Sequence, residues 1–323
     1  MEEKNGEMIY APVIIPTLNR INHLKRLINS LRANSYAKYT ELYISVDYPL
    51  KREHYAGYEQ ICLFLRQGIE GFKSVNIFFQ ESNLGPAENT RFLKEKVLHF
   101  DRYILTEDDN EFSPNFLEYI DKGLMYYQNE DDIIGICGHA YDFDWEIRKD
   151  KLLKIDCAYD GWGIGRWREK DRKIYEELTL TYLENILLDF RRALNLFKCN
   201  QYLFCRCVEA VIGKTGDMFD RDGQFHIIDT SLCIYMIDSG KKTINPILSK
   251  VRNWGDDGTG VHYTNQNVGC MQEIDVDKGY SFPEDKNIIS GKVVTKKMNR
   301  YLHATMVEKI CALFKLFVWR RSL

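Results

Sequence analysis

The sequence predicts an α/β protein with a mostly parallel sheet and helices on both faces of that sheet. Apolar runs of strand length alternate with amphipathic stretches of helical length through the first 138 residues. Polar residues follow most of the apolar runs, as they do at strand ends. Because a helix between two strands returns the chain to the same edge of a sheet, this alternation favours parallel pairing. At 323 residues, the chain is long enough for one large domain or for two that share an interface.

The predicted elements follow one another from the N-terminus. Strands are predicted at 10–15, 41–46, 75–79, 103–106 and 133–138. Helices between them are predicted around 24–31, 55–66 and 86–98. A further helix is predicted to begin with Ser113 as its N-cap and Pro114 in its first turn. Beyond residue 140 the alternation fades, and helices are predicted near 167–187 and 201–214.

Charge and cysteine usage limit the partners and the location. Lys and Arg number 44 and Asp and Glu number 47, so the formal net charge is −3 and nucleic acid is not an expected partner. The first eight residues are polar and acidic, and no segment has the length of a transmembrane span. The nine irregularly spaced cysteines favour reduced thiols, with a zinc site at Cys199, Cys205 and Cys207 as the alternative. We therefore expect a cytoplasmic protein.

Polar side chains gather where the predicted strands end. Thr17, Asn19 and Arg20 follow the first strand, Asp47 follows the second, and the acidic residues 107–109 follow the fourth. In open α/β sheets, ligands bind outside the carboxyl ends of the strands. The sequence therefore predicts a ligand crevice at this edge, where Arg20 is expected to pair with a phosphate or an acid.

Glu107, Asp108 and Asp109 are the first candidates for chemistry. Like charges this close raise one another's pKa or recruit a cation. Side chains alternate along a strand, so we expect Glu107 and Asp109 to point one way and Asp108 the other. A divalent ion held by one or two carboxylates and by substrate phosphates suits this arrangement. The alternative is a solvated turn that caps the next helix.

Asp47 and Asn83 are candidates for binding a nucleotide. A carboxylate at the position of Asp47 can accept hydrogen bonds from a base or a ribose, or it can be a simple turn residue before Pro49. The segment 83–86 supplies a helix N-terminus whose N–H groups can face an anion or a base edge.

Asp229 and His262 are candidates in the second half of the chain. Asp229 lies in an otherwise apolar run at a predicted helix start, where a carboxylate is either a general base or an N-cap. His262 follows the glycine- and aspartate-rich segment 254–260, whose composition suits a lid over a site. A lone histidine is more often structural than a ligand, so both interpretations of His262 stay open.

The C-terminal tail predicts an amphipathic helix. Ile310, Leu313, Phe314 and Phe317 fall on one helical face. The basic residues near its polar side are Lys309, Lys315, Arg320 and Arg321. Two interpretations follow, a terminal helix docked on the body or a helix that lies on an anionic membrane surface.

Four segments in chain order resemble motifs of GT-A-fold glycosyltransferases. Residues 11–20, APVIIPTLNR, look like the opening strand and nucleotide-binding turn of that fold. Residues 103–109 and 112–116 are similar to the acidic motif of the N-acetylglucosaminyltransferase I-like family and of bacterial sugar transferases of surface polysaccharide synthesis. Residues 161–165 resemble the glycine-tryptophan acceptor loop of that family, and residues 249–262 its closing donor loop.

The resemblance implies an inverting, metal-assisted transferase that uses a nucleoside-diphosphate sugar, usually a uridine one, with Mn²⁺ or Mg²⁺. The donor would be held by Pro16, Thr17, Asn19, Arg20, Asp47, Asn83, Glu107 and Asp108. Asp109 would be the direct metal ligand, with His262 as a second candidate. Asp229 would be the catalytic base, with Asp222 as the fallback.

The resemblance also implies an organisation and an acceptor. Residues 1–138 would form a nucleotide-sugar-binding Rossmann-like half, and residues 139–265 the acceptor-binding and catalytic half of the same domain. Residues 266–323 would form an extension with the amphipathic helix. The acceptor would be a saccharide or a lipid-linked oligosaccharide, in line with the basic tail.

Two other functions stay open. A sugar-phosphate nucleotidyltransferase also binds a diphosphate near acids of an α/β sheet, but it usually carries a glycine-rich loop after its first strand, and residues 16–20 lack glycine. A non-catalytic sugar- or nucleotide-binding protein would keep the fold without the chemistry.

Overall fold

The computed structural model describes residues 10–141, 151–220, 222–258, 273–282, 288–289, 294–297 and 302–322. The strands are β1 (Val13–Thr17), β2 (Glu41–Val46), β3 (Ser74–Phe79), β4 (Arg102–Leu105), β5 (Asn110–Phe112), β6 (Ile133–Cys137), β7 (Leu152–Ile155), β8 (Ile164–Trp167), β9 (Lys242–Pro246), β10 (Val251–Asn253) and β11 (Ile288–Ile289). The helices are α1 (Ile21–Arg32), α2 (Tyr55–Arg66), α3 (Gly85–Lys96), α4 (Phe116–Tyr126), α5 (Arg168–Glu177), α6 (Leu180–Leu188), α7 (Phe190–Cys199), α8 (Gln201–Gly213), α9 (Asp229–Ser239) and α10 (Met306–Ser322).

Nine strands form one sheet in the order β11-β7-β9-β6-β8-β4-β1-β2-β3, and β10 pairs with β5 beside it. Pairing is parallel between β1 and both β2 and β4, between β2 and β3, between β6 and β9, and between β7 and β11. Only β8 with its two neighbours and β7 with β9 are antiparallel in this sheet. The predicted α/β class with a mostly parallel sheet is confirmed. The sheet takes strands from both sides of residue 138, and the domain boundaries at 138 and 265 stay a prediction.

Side chains of the central strands alternate between two apolar layers. Val13 and Ile15 of β1 pack with α1, α2 and α4 on one face, whereas Ile14 packs with α3 on the other. Farther along the sheet, Ile134 of β6 packs with α5 to α10. Helices therefore cover both faces, because period-two alternation gives each face its own apolar surface.

The first strand begins three residues later and ends two residues later than predicted. β1 continues through Pro16 to Thr17, and the backbone N–H of Asp47 donates to the carbonyl of Thr17 at 2.9 Å. β4 is in register only with Val13 and Ile14 of β1. Pro16 has no N–H, and at its position β1 needs no hydrogen bond to β4.

The start of the fourth helix was predicted wrongly. α4 begins at Phe116 with Asn115 at the N-cap position, two residues later than a Ser113 cap would place it. The N–H of Ser113 donates instead to the carbonyl of Lys250 at 2.9 Å, and its hydroxyl donates to Asn115 Oδ1 at 2.9 Å. A long-range contact thus holds Ser113 and Pro114 outside the helix.

The terminal helix packs on the rest of the protein, but not through the apolar face that the sequence predicted. Ala312 and Leu316 of α10 are buried in the layer formed with α8. The predicted apolar face is exposed, with 60% of Ile310 and 67% of Phe314 accessible. Among the described residues, no helix has both the length and the apolar character to cross a membrane.

Candidate functional site

The acidic triplet forms the turn between β4 and β5, at the carboxyl edge of the sheet. β4 lies beside β1, and β1 beside β2, so the triplet is next to the ends of both strands. Asp108 and Asp109 are buried, at 4% and 5% exposure, whereas Glu107 is open to solvent. The predicted crevice edge thus carries one accessible and two buried carboxyl groups.

Arg20 binds both buried acids of this turn. Its Nη1 lies 2.8 Å from Oδ2 of Asp109, and its Nη2 contacts Oδ1 of Asp108. The hydroxyl of Thr17 donates to the other oxygen of Asp108 at 2.7 Å. Burial alone would lower the pKa of Arg20, but the two carboxylates raise it above its usual value. The prediction that Asp108 and Asp109 point in opposite directions is wrong, because the strand has ended and both turn towards one guanidinium.

The segment after β10 closes on Asp109 from the other side. Asn253 Nδ2 donates to Asp109 Oδ1 at 2.8 Å, and the N–H of Trp254 donates to the carbonyl of Asp109 at 2.9 Å. A Cβ at Gly255 would lie 2.6 Å from Asp109 Oδ2, closer than real contacts allow. Two segments singled out in the sequence, the acidic turn and residues 249–255, therefore form one structure.

Glu107 and Asp229 lie near each other, since the charge of Asp229 acts on Glu107, and we call the space between them the cleft. Both side chains reach solvent, yet protein surrounds them closely enough to weaken their hydration. Desolvation, then the charge of Asp109 and the charge of Asp229, raises the pKa of Glu107 to about 8. Desolvation, then the charge of Asp160, raises the pKa of Asp229 to about 7. Perturbed carboxyl groups of this kind concentrate at functional sites.

Asp229 is the first residue of α9 rather than its cap. The N-cap position belongs to Ile228, whose N–H donates to Ser231 Oγ at 3.0 Å. The N-cap interpretation of Asp229 is therefore wrong. Its carboxylate is instead stabilised by the N–H of Gly161, which lowers its pKa and partly offsets the effect of desolvation.

The loop before β8 lines the cleft next to Asp229. His139 Nδ1 lies 2.9 Å from Asp160 Oδ2, and the His139 ring stands edge-on to the Trp162 ring with centroids 4.8 Å apart. Asp160 and Gly161 both act on Asp229. The sequence singled out the glycine- and tryptophan-rich segment, but neither His139 nor Asp160. No local signal marks His139, because it reaches the loop only through the pairing of β6 with β8.

The Asp47 carboxylate accepts hydrogen bonds from backbone N–H groups at the same edge of the sheet. Its oxygens accept from the N–H groups of Tyr48, Leu84 and Gly85 at 2.8–2.9 Å, and from Asn83 Nδ2 at 3.2 Å. The anion at the N-terminus of α3 is therefore Asp47 itself. The structure brings Asp47 and Asn83 together at this edge, and a role for them in nucleotide binding stays a prediction.

The remaining predicted residues fall in three different places. Asn19 lies beside α2, where a Cβ at Gly57 would be 2.0 Å from the Asn19 carbonyl oxygen, so the helix approaches this loop closely. Asp222 is exposed, and its N–H donates to Asp220 Oδ1 at 3.0 Å. His262 lies outside the described residues.

The donor set of the cleft consists of hard oxygen atoms. Within the described residues, no three His, Cys, Asp or Glu side chains are grouped so that they alone would hold a metal ion. Arg20 supplies one positive charge against the two buried acids Asp108 and Asp109, so negative charge remains uncompensated. Such a site fits a divalent ion that takes most of its ligands from phosphate oxygens and water.

Solved structures are similar to this chain over part of its length, the following three among them. No family model matches the chain, and no curated protein matches it. GalNAc-T7 with UDP, GalNAc and Mn²⁺ is 13% identical over 76% of this chain and 44% of that one, with a TM-score of 0.43. The mannosyltransferase PcManGT from Pyrobaculum calidifontis, in complex with GDP-Man and Mn²⁺, is 10% identical over 52% and 47%, with a TM-score of 0.37. TarS 1–349 from S. aureus, in complex with UDP-GlcNAc, is 13% identical over 52% and 48%, with a TM-score of 0.38.

These similarities concern the fold. The chain spans less than half the length of each of these three proteins. It is similar in fold to GT-A glycosyltransferases, as predicted. The narrower N-acetylglucosaminyltransferase I-like family stays a prediction.

Proposed function

We propose that this chain is an inverting glycosyltransferase that moves a sugar from a nucleoside-diphosphate donor, of which UDP is the expected nucleotide, to a hydroxyl group of an acceptor. The observation that supports the proposal is that Asp229 lies close enough to Glu107 for its charge to raise the pKa of Glu107, beside the turn that Arg20 holds. A base with a pKa near neutrality beside a phosphate-compatible edge is what direct displacement requires.

The proposed reaction is a single displacement. Asp229 takes the proton from the acceptor hydroxyl while that oxygen attacks the anomeric carbon of the donor sugar. The bond from that carbon to the diphosphate oxygen breaks, and the electron pair leaves with the nucleoside diphosphate. Attack from the side opposite the leaving group inverts the anomeric configuration. The N–H of Gly161 orients the Asp229 carboxylate towards the acceptor side.

Arg20 acts on the donor side by fixing the acidic turn. It holds Asp108 and Asp109 in one orientation, and Asn253 fixes the second oxygen of Asp109. Asp109 and Glu107 are the residues that would hold Mn²⁺ or Mg²⁺ together with the diphosphate. A bound divalent ion would supply charge neutralisation for the leaving diphosphate. Asp47 and Asn83 would contact the nucleotide from the end of β2.

The acceptor is proposed to be a saccharide or a lipid-linked oligosaccharide. The Asp160 carboxylate acts on Asp229, and the rings of His139 and Trp162 lie beside Asp160. In this proposal they provide an apolar surface and hydrogen-bond acceptors for a sugar. A cytoplasmic location belongs to the same proposal.

Calorimetric titration tests the donor site. UDP should bind the wild-type chain in the presence of Mn²⁺ and bind far more weakly without it. Asp109→Ala should abolish the metal-dependent part, whereas Asp222→Asn, at an exposed loop position, should leave it unchanged. If UDP does not bind under any of these conditions, the assignment of UDP as the nucleotide is wrong. If UDP binds equally with and without Mn²⁺, the assignment of Asp109 as a metal ligand is wrong.

A further inference from the structure

Helix α10 packs on the protein through its small side and turns its large apolar side chains to solvent. The buried contacts are made by Ala312 and Leu316. The exposed side chains are Val307, Ile310, Leu313, Phe314, Phe317 and Val318, with 46–69% of each accessible. Single exposed apolar residues are ordinary, but a continuous face of them marks a surface that binds something.

A second apolar group adjoins the C-terminal end of α10. Arg320 Nε donates to the carbonyl of Leu187 at 2.8 Å, which ties this end of the helix to the end of α6. Leu188 and Phe190, which follow directly, are 47% and 67% exposed. Leu188 and Phe190 therefore lie near the C-terminal end of the apolar face of α10. We call this combined surface the α10 face.

The charge of α10 is opposite in sign to that of the whole chain. The helix carries Lys309, Lys315, Arg320 and Arg321 against the single acid Glu308, which gives 4 − 1 = +3 in a chain of net charge −3. Glu308 is engaged at the N-terminal end, where it accepts from the N–H of Thr305 at 2.7 Å and pairs with Arg206 at 3.2 Å. Within the described part of the chain, Lys309, Lys315 and Arg321 form no ion pair.

We propose that the α10 face binds the surface of an anionic phospholipid bilayer. Its apolar side chains would enter the boundary between headgroups and acyl chains, and its long basic side chains would reach lipid phosphates. A second copy of this chain fits less well, because a two-fold pair would bring the unneutralised cations of both copies together. The inference goes beyond the proposed donor site and does not depend on it, although membrane contact would bring the cleft to a lipid-linked acceptor.

Vesicle co-sedimentation of the full chain tests the proposal. The wild type should bind vesicles that contain phosphatidylglycerol much more tightly than vesicles of phosphatidylcholine alone, and high salt should weaken that binding. Phe314→Ser should weaken it about tenfold, since a large apolar side chain no longer leaves water. Lys315→Gln should weaken it about fivefold, by removing one cation near the surface. Leu63→Ser, an equally exposed apolar residue on α2, is the matched control and should bind like the wild type.

Three outcomes would overturn the proposal. These are no binding to either vesicle, equal binding to both, and equal loss of binding in Phe314→Ser and Leu63→Ser. A dimer seen by sedimentation velocity without lipid, and lost in Phe314→Ser, would assign the α10 face to a second copy instead. None of these readouts uses nucleotide or sugar transfer, so a failed UDP titration would leave the lipid result intact.

Discussion

The guanidinium Nη1 of Arg20 lies 2.8 Å from Oδ2 of Asp109, and the same group also contacts Asp108. One side chain just after β1 thus holds two buried carboxylates of the turn after β4, 88 residues farther along the chain in the case of Asp108. Because burying a carboxylate without a counter-ion is costly, this guanidinium stabilises the acidic turn, together with the hydrogen bonds from Thr17 and Asn253.

Arg20→Ala should destabilise the fold by about 3 kcal/mol, because Asp108 and Asp109 would stay buried without their counter-ion. Urea unfolding followed by circular dichroism measures the change. Arg172→Ala removes an arginine that also binds two acids, but on the exposed surface of α5, and it should leave the midpoint unchanged. Equal midpoints for the two variants would contradict a structural role for Arg20.

Asp229→Asn should lower the turnover number for sugar transfer by about 10²–10⁴-fold, because the amide cannot accept the hydroxyl proton. The affinity for UDP should change little, since the proposed reaction uses Asp229 on the acceptor and not on the nucleotide. Asp222→Asn is the control and should keep full turnover. If Asp222→Asn loses turnover and Asp229→Asn keeps it, the base has been assigned to the wrong residue.

The pH profile of kcat/KM should report the pKa of Asp229. Desolvation, then the charge of Asp160, raises that pKa to about 7. Only the carboxylate takes a proton, so kcat/KM should rise about tenfold per pH unit below pH 7 and level off above it. Asp160→Asn removes the neighbouring negative charge and should shift this limb to lower pH. An identical profile in the variant would mean that the limb belongs to another group.

Gly255→Ala should weaken Mn²⁺-dependent UDP binding by about tenfold or more, because the new Cβ would displace the carboxylate of Asp109, 2.6 Å away. Calorimetric titration measures the affinity. Gly161→Ala is the control, since a Cβ there meets nothing within 4 Å and the N–H that serves Asp229 is kept. The same affinity in both variants would show that donor binding does not depend on the position of Asp109.

Asp121 should make stability fall as pH rises from about 4 to 7. Burial raises its pKa to about 7, although the N–H of Ala11 donates to its Oδ1 at 3.0 Å and opposes this. A raised folded-state pKa means that the stabilisation is complete below the unfolded value, near 3.8, and is lost as pH passes through 7. Asp121→Asn should remove this dependence, a difference on the order of 4 kcal/mol across the range.

Urea unfolding at several pH values, wild type against Asp121→Asn, measures that difference. Asp222→Asn, at an exposed position, is expected to follow the wild type at every pH. Parallel curves for the wild type and Asp121→Asn would show that Asp121 stays ionised in the folded protein.

Local patterns in the sequence correctly predicted the bounds of some elements and the buried side chains of others. β2 and α2 have the predicted bounds, and the buried apolar side chains of α1 are Leu24, Leu27, Ile28 and Leu31. Periodicity succeeds in α1 and α2 because each helix buries one apolar face. β2 is recognised because its apolar run is buried on both faces of the sheet. It failed at Ser113, where a hydrogen bond to Lys250 overrides the capping signal, and it left open which side of α10 docks.

What the sequence alone determined is the order of the elements and the edge where polar residues collect, because both follow from short-range periodicity and from the rule that parallel strands end together. Only the tertiary structure decided that Arg20 binds both Asp108 and Asp109, that the missing Cβ of Gly255 leaves space for the Asp109 carboxylate, and that Asp229 lies near Glu107. These contacts join segments far apart in the chain. The local sequence around either partner does not predict these contacts, since they depend on how helices and loops pack once the sheet has formed.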